Sequence, residues 1–208
     1  MKGLVVAGIG TGVGKTFISA IVTEALEADY WKPVQAGSLD DTDTDYVKAH
    51  ISNRQSFFHP EAYRLGQPMS PHAAAAIDKI EIDGDRLCVP GTKNKIVIEP
   101  AGGLMVPLNT KLLNIHLLEK WKLPVLLVSR NYLGSINHTL LSVYALRQHG
   151  VTMAGMIFNG ERNDATERFI ADHTGVHCIG RIDEEKIIDK AVVKKYADQF
   201  RDKLNALL

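Results

Sequence analysis

The segment GIGTGVGKT, Gly8 to Thr16, sets a lysine and a threonine directly behind a run of glycines, and that combination suits the phosphates of a nucleotide. Glycines let consecutive backbone N–H groups turn inward around an anion, Lys15 adds a charge near the β- and γ-phosphates, and the Thr16 hydroxyl can ligate Mg²⁺. Five residues rather than the usual four separate Gly8 from Gly14, which narrows the type of loop without weakening it. Further along, WKPVQAG (Trp31 to Gly37) carries Lys32, and the acids Asp40, Asp41, Asp43 and Asp45 follow it. A lysine beside a phosphate site can stabilise a developing anion; read alone, the same segment is a surface lysine before a solvated acidic loop. Glu99 opens EPAGG at the end of an apolar run, where an acid supplies a hard cation with a further oxygen, so Thr16, one of the loop acids and Glu99 would form a metal site.

Two more positions invite chemistry. In NYLGSINHTLL, Gly134 or Ser135 can open a helix whose free N–H groups accept an anion, although serine also caps many helices that bind nothing. Asn159 ends MAGMIFN and could offer a donor and an acceptor to an adenine edge, or be a plain loop asparagine. The eight histidines suggest no metal centre. His173 and His177 are four apart, but Gly175 between them reads as a helix terminator and His177 as the start of a strand, so the pair should not share a helical face.

For these side chains to meet, the runs that carry them must lie side by side. Apolar runs at Leu4–Ala7, Tyr30–Gln35, Lys95–Glu99, Leu123–Ser129, Met153–Asn159 and His177–Ile182 read as strands. Helices are expected over Lys15–Ala28, Asp43–Ile51, Pro71–Ala76 and a little beyond, Thr110–Trp121, Ser135–Gln148, Ala165–Thr174 and Glu184–Ala206. In the first of them Ile18, Ile21, Val22, Ala25 and Leu26 share one face, so its N-terminal dipole would point at the bound anion. Continuously apolar strands alternating with helices imply an α/β fold of the P-loop NTPase kind, with a mostly parallel central sheet flanked by helices on both faces. Ligands then gather at the carboxyl ends of the strands. No repeat, low-complexity tract or Pro/Gly-rich linker divides the chain, so residues 1–208 are expected to form a single domain.

Composition narrows the function. Lys plus Arg and Asp plus Glu number 24 each, leaving no basic excess to neutralise nucleic acid or anionic lipid, and favouring a small-molecule substrate. Cys88 and Cys178 form no CxxC pair, which fits a reducing compartment. No apolar run approaches the roughly 20 residues that span a bilayer, and the N-terminus enters a strand at once, so the expected location is the cytoplasm.

GIGTGVGKT, KPVQAG, the acidic DDTDTD loop, EPAGG, PVLLVS with LGSINHTLL, MSPHAAA and the asparagine-ended fifth strand together resemble the dethiobiotin synthetase family over most of the chain. The resemblance implies an ATP- and Mg²⁺-dependent ligase of biotin synthesis that closes the ureido ring of dethiobiotin from 7,8-diaminopelargonate, with CO₂ and ATP as co-substrates. It implies a carbamate, then a carbamic-phosphoric anhydride, then ring closure. By position, Lys15 would bind ATP phosphates and Lys32 would stabilise the carbamate and the transferring phosphoryl group. Gly12, Val13, Gly14, Lys15, Thr16 and Phe17 would wrap the phosphates, with Asp43, Glu99, Pro100, Ala101, Gly102 and Asn159 completing the nucleotide site. Thr16, Asp43 and Glu99 would hold Mg²⁺, Asp43 being selected by its spacing from Gly37, with Asp41 and Asp45 as alternatives. The substrate would meet Thr11, Lys32 and Ala36, and its carboxylate the helix start at Leu133, Gly134, Ser135 and Asn137, across a homodimer interface.

The chain departs from the family at Gly10, where aspartate is frequent, at Pro100, where glycine is common, at Ala36, which can be serine, and at GRIDEE, Gly180 to Glu185, in place of Gly-x-Ile-Pro. Two other readings compete. A partitioning or positioning ATPase of the deviant P-loop type would need its signature lysine where Gly10 stands, and a GTP-dependent switch would need NKxD, which does not occur.

Overall fold

The computed structural model describes residues 2–208. Seven parallel strands form the central sheet in the order β4-β2-β6-β1-β7-β8-β9: β1 (Gly3–Gly8), β2 (Asp29–Trp31), β4 (Phe58–His59), β6 (Ile96–Ile98), β7 (Val125–Arg130), β8 (Met153–Asn159) and β9 (Cys178–Ile182). A second, two-stranded parallel sheet pairs β3 (Val34–Ala36) with β5 (Tyr63–Leu65). The helices are α1 (Lys15–Leu26), α2 (Asp43–His50), α3 (Pro71–Ile77), α4 (Asn114–Trp121), α5 (Ser135–Gln148), α6 (Asp164–Thr174) and α7 (Lys190–Asn205), with a 3₁₀ turn at Gly84–Arg86.

β1 is buried along its whole length, which requires cover on both faces. Right-handed crossovers supply it. From β1 through α1 to β2 the chain moves one way across the sheet, and from β7 through α5 to β8 and through α6 to β9 it moves the other way. α1 and α7 therefore share one face and α5 and α6 the opposite one, as their contacts also show. α1 is buried on nearly every side, Ser19, Thr23 and Glu24 included, because α2 and α7 close over the face turned away from the sheet. β1 lies between β6 and β7, where the direction of winding reverses, so the loop that follows it opens into the crevice where such sheets bind ligands.

The observed elements correct several expected boundaries. The run Tyr30–Gln35 is two strands in two different sheets, β2 and β3. Pro33 divides them: it has no N–H for a ladder, and its carbonyl accepts instead from Ala62 and Tyr63. β4 and β5 were not expected, being only two and three residues long and without a periodic pattern. The helix expected from Thr110 begins at Asn114, because the Asn109 side chain accepts from the Lys111 and Leu112 amides and holds that stretch in a turn. The helix expected from Glu184 begins at Lys190, where Asp189 caps the Val192 amide. α1 stops two residues short of Ala28, with Glu27 in the left-handed region at φ 50°.

Candidate active site

The carboxyl edge of the sheet opens into a cleft of about 750 Å³. Its floor is the loop between β1 and α1. Gly12 and Gly14 take φ of 72° and 92°, and a side chain at Gly14 would also run into the Asn159 amide. That amide donates to the Val13 carbonyl at 2.9 Å, so the last residue of β8 braces the loop from behind. That bond uses one of the two N–H groups of the amide, and among the described residues the Asn159 side-chain carbonyl takes no hydrogen bond, so Asn159 still has an acceptor to offer the cleft. Gly14 caps α1 without a side-chain bond, which leaves the first-turn amides open to an anion, and Lys15 reaches back to the Gly10 carbonyl at 2.9 Å.

Four charged side chains from four parts of the chain meet beside this loop. Lys32, just past β2, lies 2.5 Å from Asp43 Oδ2 and 3.0 Å from Glu99 Oε1. The Thr16 hydroxyl lies 3.0 Å from Asp43 Oδ1 and 2.9 Å from Glu99 Oε1. Lys15 adds the second positive charge. Of the clustered acids only Asp43 reaches this group, because Asp45 is committed to capping α2 with Thr42 and because the Gln35 side chain accepts from the Asp43 amide and sets the start of the helix. Glu99 is placed by its own amide, which donates to the Trp31 carbonyl at 3.0 Å, and by the Tyr30 hydroxyl, which donates to Oε2 at 2.9 Å.

The electrostatics follow from burial and neighbours. Burial pulls the Lys15 ammonium down to about 8, with the Glu99 charge pulling the other way. Burial alone would lower Lys32 as well, but the Glu99 and Asp43 carboxylates outweigh it and raise Lys32 above the ordinary lysine value. Asp43 resists burial in the same way: the Lys32 charge and the hydrogen bonds from Lys32 and Thr16 hold it below the usual carboxylate range. The Lys32–Asp43 pair is therefore ionised. Asp43 Oδ1 and Glu99 Oε1 both lie within 3.0 Å of the Thr16 hydroxyl, and three such oxygens are a donor set that suits a hard cation such as Mg²⁺.

Of the residues singled out in the sequence, Thr11, Gly12, Gly14, Lys15, Thr16, Phe17, Lys32, Ala36, Asp43, Glu99, Ala101, Gly102 and Asn159 line the cleft. Val13 and Pro100 are buried behind it. Leu133, Gly134, Ser135 and Asn137 do not line it: α5 starts away from the cleft of its own chain, with Leu133 and Asn137 exposed and Gly134 at φ 98° without a side-chain cap. Met69, Ser70 and Pro71 of MSPHAAA form one wall together with Pro68, and on the opposite wall Glu184 of GRIDEE pairs with Arg130 at 3.1 Å; sequence reasoning missed Pro68 and Arg130. It also missed Tyr30 and Gln35. The signal for Tyr30 was present, since in a strand it shares a face with Lys32 two residues on.

The protein family described as an AAA domain matches residues 2–192. The chain is 52% identical over 203 residues to an ATP-dependent dethiobiotin synthetase BioD of Christiangramia forsetii, covering 98% of both chains. It is 44% identical to one of Cytophaga hutchinsonii, over 97% of this chain and 98% of that one, and 41% identical to one of Chlamydia pneumoniae, over 97% and 90%. Among solved structures it is similar in fold to a plasmid partition protein of Borrelia burgdorferi, at TM-score 0.60 and 13% identity over 99% of this chain and 97% of that one. The cell division ATPase MinD of Pyrococcus furiosus matches at TM-score 0.58 and 15% identity, over 100% and 99%. At such identities the likeness to the partition and division ATPases is one of fold.

Proposed function

The chain belongs to the family of ATP-dependent dethiobiotin synthetases, and on that premise we propose that the cleft joins CO₂ to 7,8-diaminopelargonate and closes the ureido ring at the expense of ATP. Like its relatives, the chain is an ATP-dependent ligase of biotin biosynthesis that forms dethiobiotin from a small-molecule substrate. The observation that carries the finer reading is the convergence of Lys15, Lys32, Thr16, Asp43 and Glu99 beside the phosphate loop.

In the proposed sequence one amine of the substrate adds to CO₂ and loses a proton, giving a carbamate. A carbamate oxygen attacks the γ-phosphorus of ATP and ADP leaves, forming the carbamic-phosphoric anhydride. The second amine attacks the anhydride carbonyl, and phosphate departs as the ring closes. The first difficulty is that two anions must approach each other, so positive charge is needed where negative charge collects in the transition state. Lys32 is fixed there by its two carboxylate neighbours and stays charged. Lys15 and the open amides of α1 hold the phosphates. Thr16, Asp43 and Glu99 would hold Mg²⁺, which neutralises phosphate charge when bound. Asn159 presents its side-chain carbonyl to the amino group of adenine.

The start of α5 is proposed to receive the substrate carboxylate in the cleft of a second copy. Two observations support a homodimer of this kind: that helix start does not line its own cleft, and Leu133 just ahead of α5 and Leu141 and Tyr144 along it are exposed. A purely monomeric species in sedimentation at working concentration would exclude it. No helix among the described residues is long and apolar enough to cross a membrane, and the proposed site of action is the cytoplasm. The residues as a whole are proposed to act as one domain.

Phosphate release tests the reaction. It should require ATP, the diamine and bicarbonate together, because neither the diamine nor CO₂ makes the nucleophile alone. Rapid ATP turnover without them would return the cleft to the class of simple ATPases.

A further inference from the structure

Glu99 uses its two carboxylate oxygens for different purposes. Oε1 faces the cleft, 2.9 Å from the Thr16 hydroxyl and 3.0 Å from Lys32. Oε2 points the other way, into the core, and accepts from the Tyr30 hydroxyl at 2.9 Å. Tyr30 is fully buried in β2 and its ring packs on Phe58 at 6.2 Å between centres, so the hydroxyl cannot swing to water or to another acceptor without disturbing the sheet edge. Glu99 is itself 1% exposed. Turning the carboxylate so that both oxygens faced one cation would pull Oε2 off a buried hydroxyl and leave that hydroxyl unpaired, which is costly.

We propose that Tyr30 is a positioning residue for the metal-binding carboxylate: by holding Oε2 of Glu99 it leaves Oε1 alone for the cation, and so favours Mg²⁺ over larger divalent ions such as Ca²⁺. The chemistry rests on coordination. Mg²⁺ takes six oxygens at about 2.0–2.1 Å in near-octahedral geometry and is served by single carboxylate oxygens, whereas Ca²⁺ takes six to eight at about 2.3–2.6 Å and readily uses a carboxylate through both. Partners behind a metal ligand fix its orientation, and their removal commonly changes metal affinity by about 10- to 100-fold. Nothing else bonds Oε2 among the described residues, so this restraint is removed by a single substitution that keeps the aromatic ring.

The proposal rests on the reading of Glu99 as a metal ligand, and the experiment separates the two. Mn²⁺ bound to the ADP complex is followed by electron paramagnetic resonance and displaced with Mg²⁺ or Ca²⁺, for the unaltered protein, Tyr30→Phe and Glu99→Gln. Glu99→Gln should weaken Mn²⁺ binding itself; if it does not, the metal site fails and the role of Tyr30 falls with it. Tyr30→Phe should shift the ratio of Ca²⁺ to Mg²⁺ competition toward Ca²⁺ by about tenfold. A hydroxyl that serves only to fill the core would change the melting temperature and leave that ratio alone. A ratio equal to that of the unaltered protein, with Mn²⁺ binding still dependent on Glu99, would overturn the proposal.

Discussion

Two ion pairs line the same cleft from opposite ends. Beside the phosphate loop, Lys32 and Glu99 stand 3.0 Å apart with side chains 5% and 1% exposed; across the cleft, at the ends of β7 and β9, Arg130 and Glu184 stand 3.1 Å apart at 41% and 62%. The separations are almost equal, and the difference is water. In the exposed pair solvent screens both charges, and such pairs contribute about 0–1 kcal/mol. In the buried pair each charge has lost its hydration and depends on its partner, so the pair adds little net stability, yet removing one member leaves the other stranded. A cluster of that kind is a poor way to hold a fold together. It is a good way to keep charges aimed at one place before a substrate arrives.

The largest test of the contrast is Lys32→Ala. Turnover should fall about 10²- to 10³-fold, the scale for losing one preorganised transition-state contact, while ATP affinity changes little because Lys15 and the loop still hold the phosphates. Steady-state kinetics beside direct ATP binding would separate these effects, and unchanged turnover would reduce Lys32 to a structural ion-pair partner. A smaller effect comes from pH. With Lys15 held at about 8, its charge is complete well below that pH and is lost as pH rises through it, so ATP binding should be flat below the transition and decline above it. Titration of this single group makes binding about fivefold weaker at pH 9 than at pH 8, measurable by calorimetry. The smallest effect belongs to the exposed pair: Arg130→Ala should change the free energy of unfolding by no more than about 1 kcal/mol in urea titration. A loss of several kcal/mol there would show that the two ends of the cleft do not differ as their exposure implies.

Sequence patterns that depend on near neighbours were readable. The glycine loop, the apolar runs of β1, β7 and β8 and the helix after Gly14 carry their own periodicity, and those elements stand where expected to within two residues. Lys32 and Glu99 were legible as charges at strand ends. What was not legible depends on partners far along the chain. Nothing near Pro33 says that the two halves of its apolar run belong to different sheets, because β3 is made a strand by β5. Selecting Asp43 among four acids required knowing that Asp45 is taken by Thr42 and that Gln35 holds the Asp43 amide. The donor side of Asn159 was equally hidden, since its partner, the Val13 carbonyl, lies 146 positions away.

The proposed reaction is decided by which oxygen attacks the γ-phosphorus. If a carbamate built from CO₂ is the nucleophile, its oxygen stays on phosphorus when the ring closes. A short reaction started with ¹⁸O-labelled bicarbonate in unlabelled water should therefore release phosphate carrying one labelled oxygen, as read by mass spectrometry. Phosphate whose new oxygen comes from water instead would contradict the proposed chemistry and mean that the cleft hydrolyses ATP.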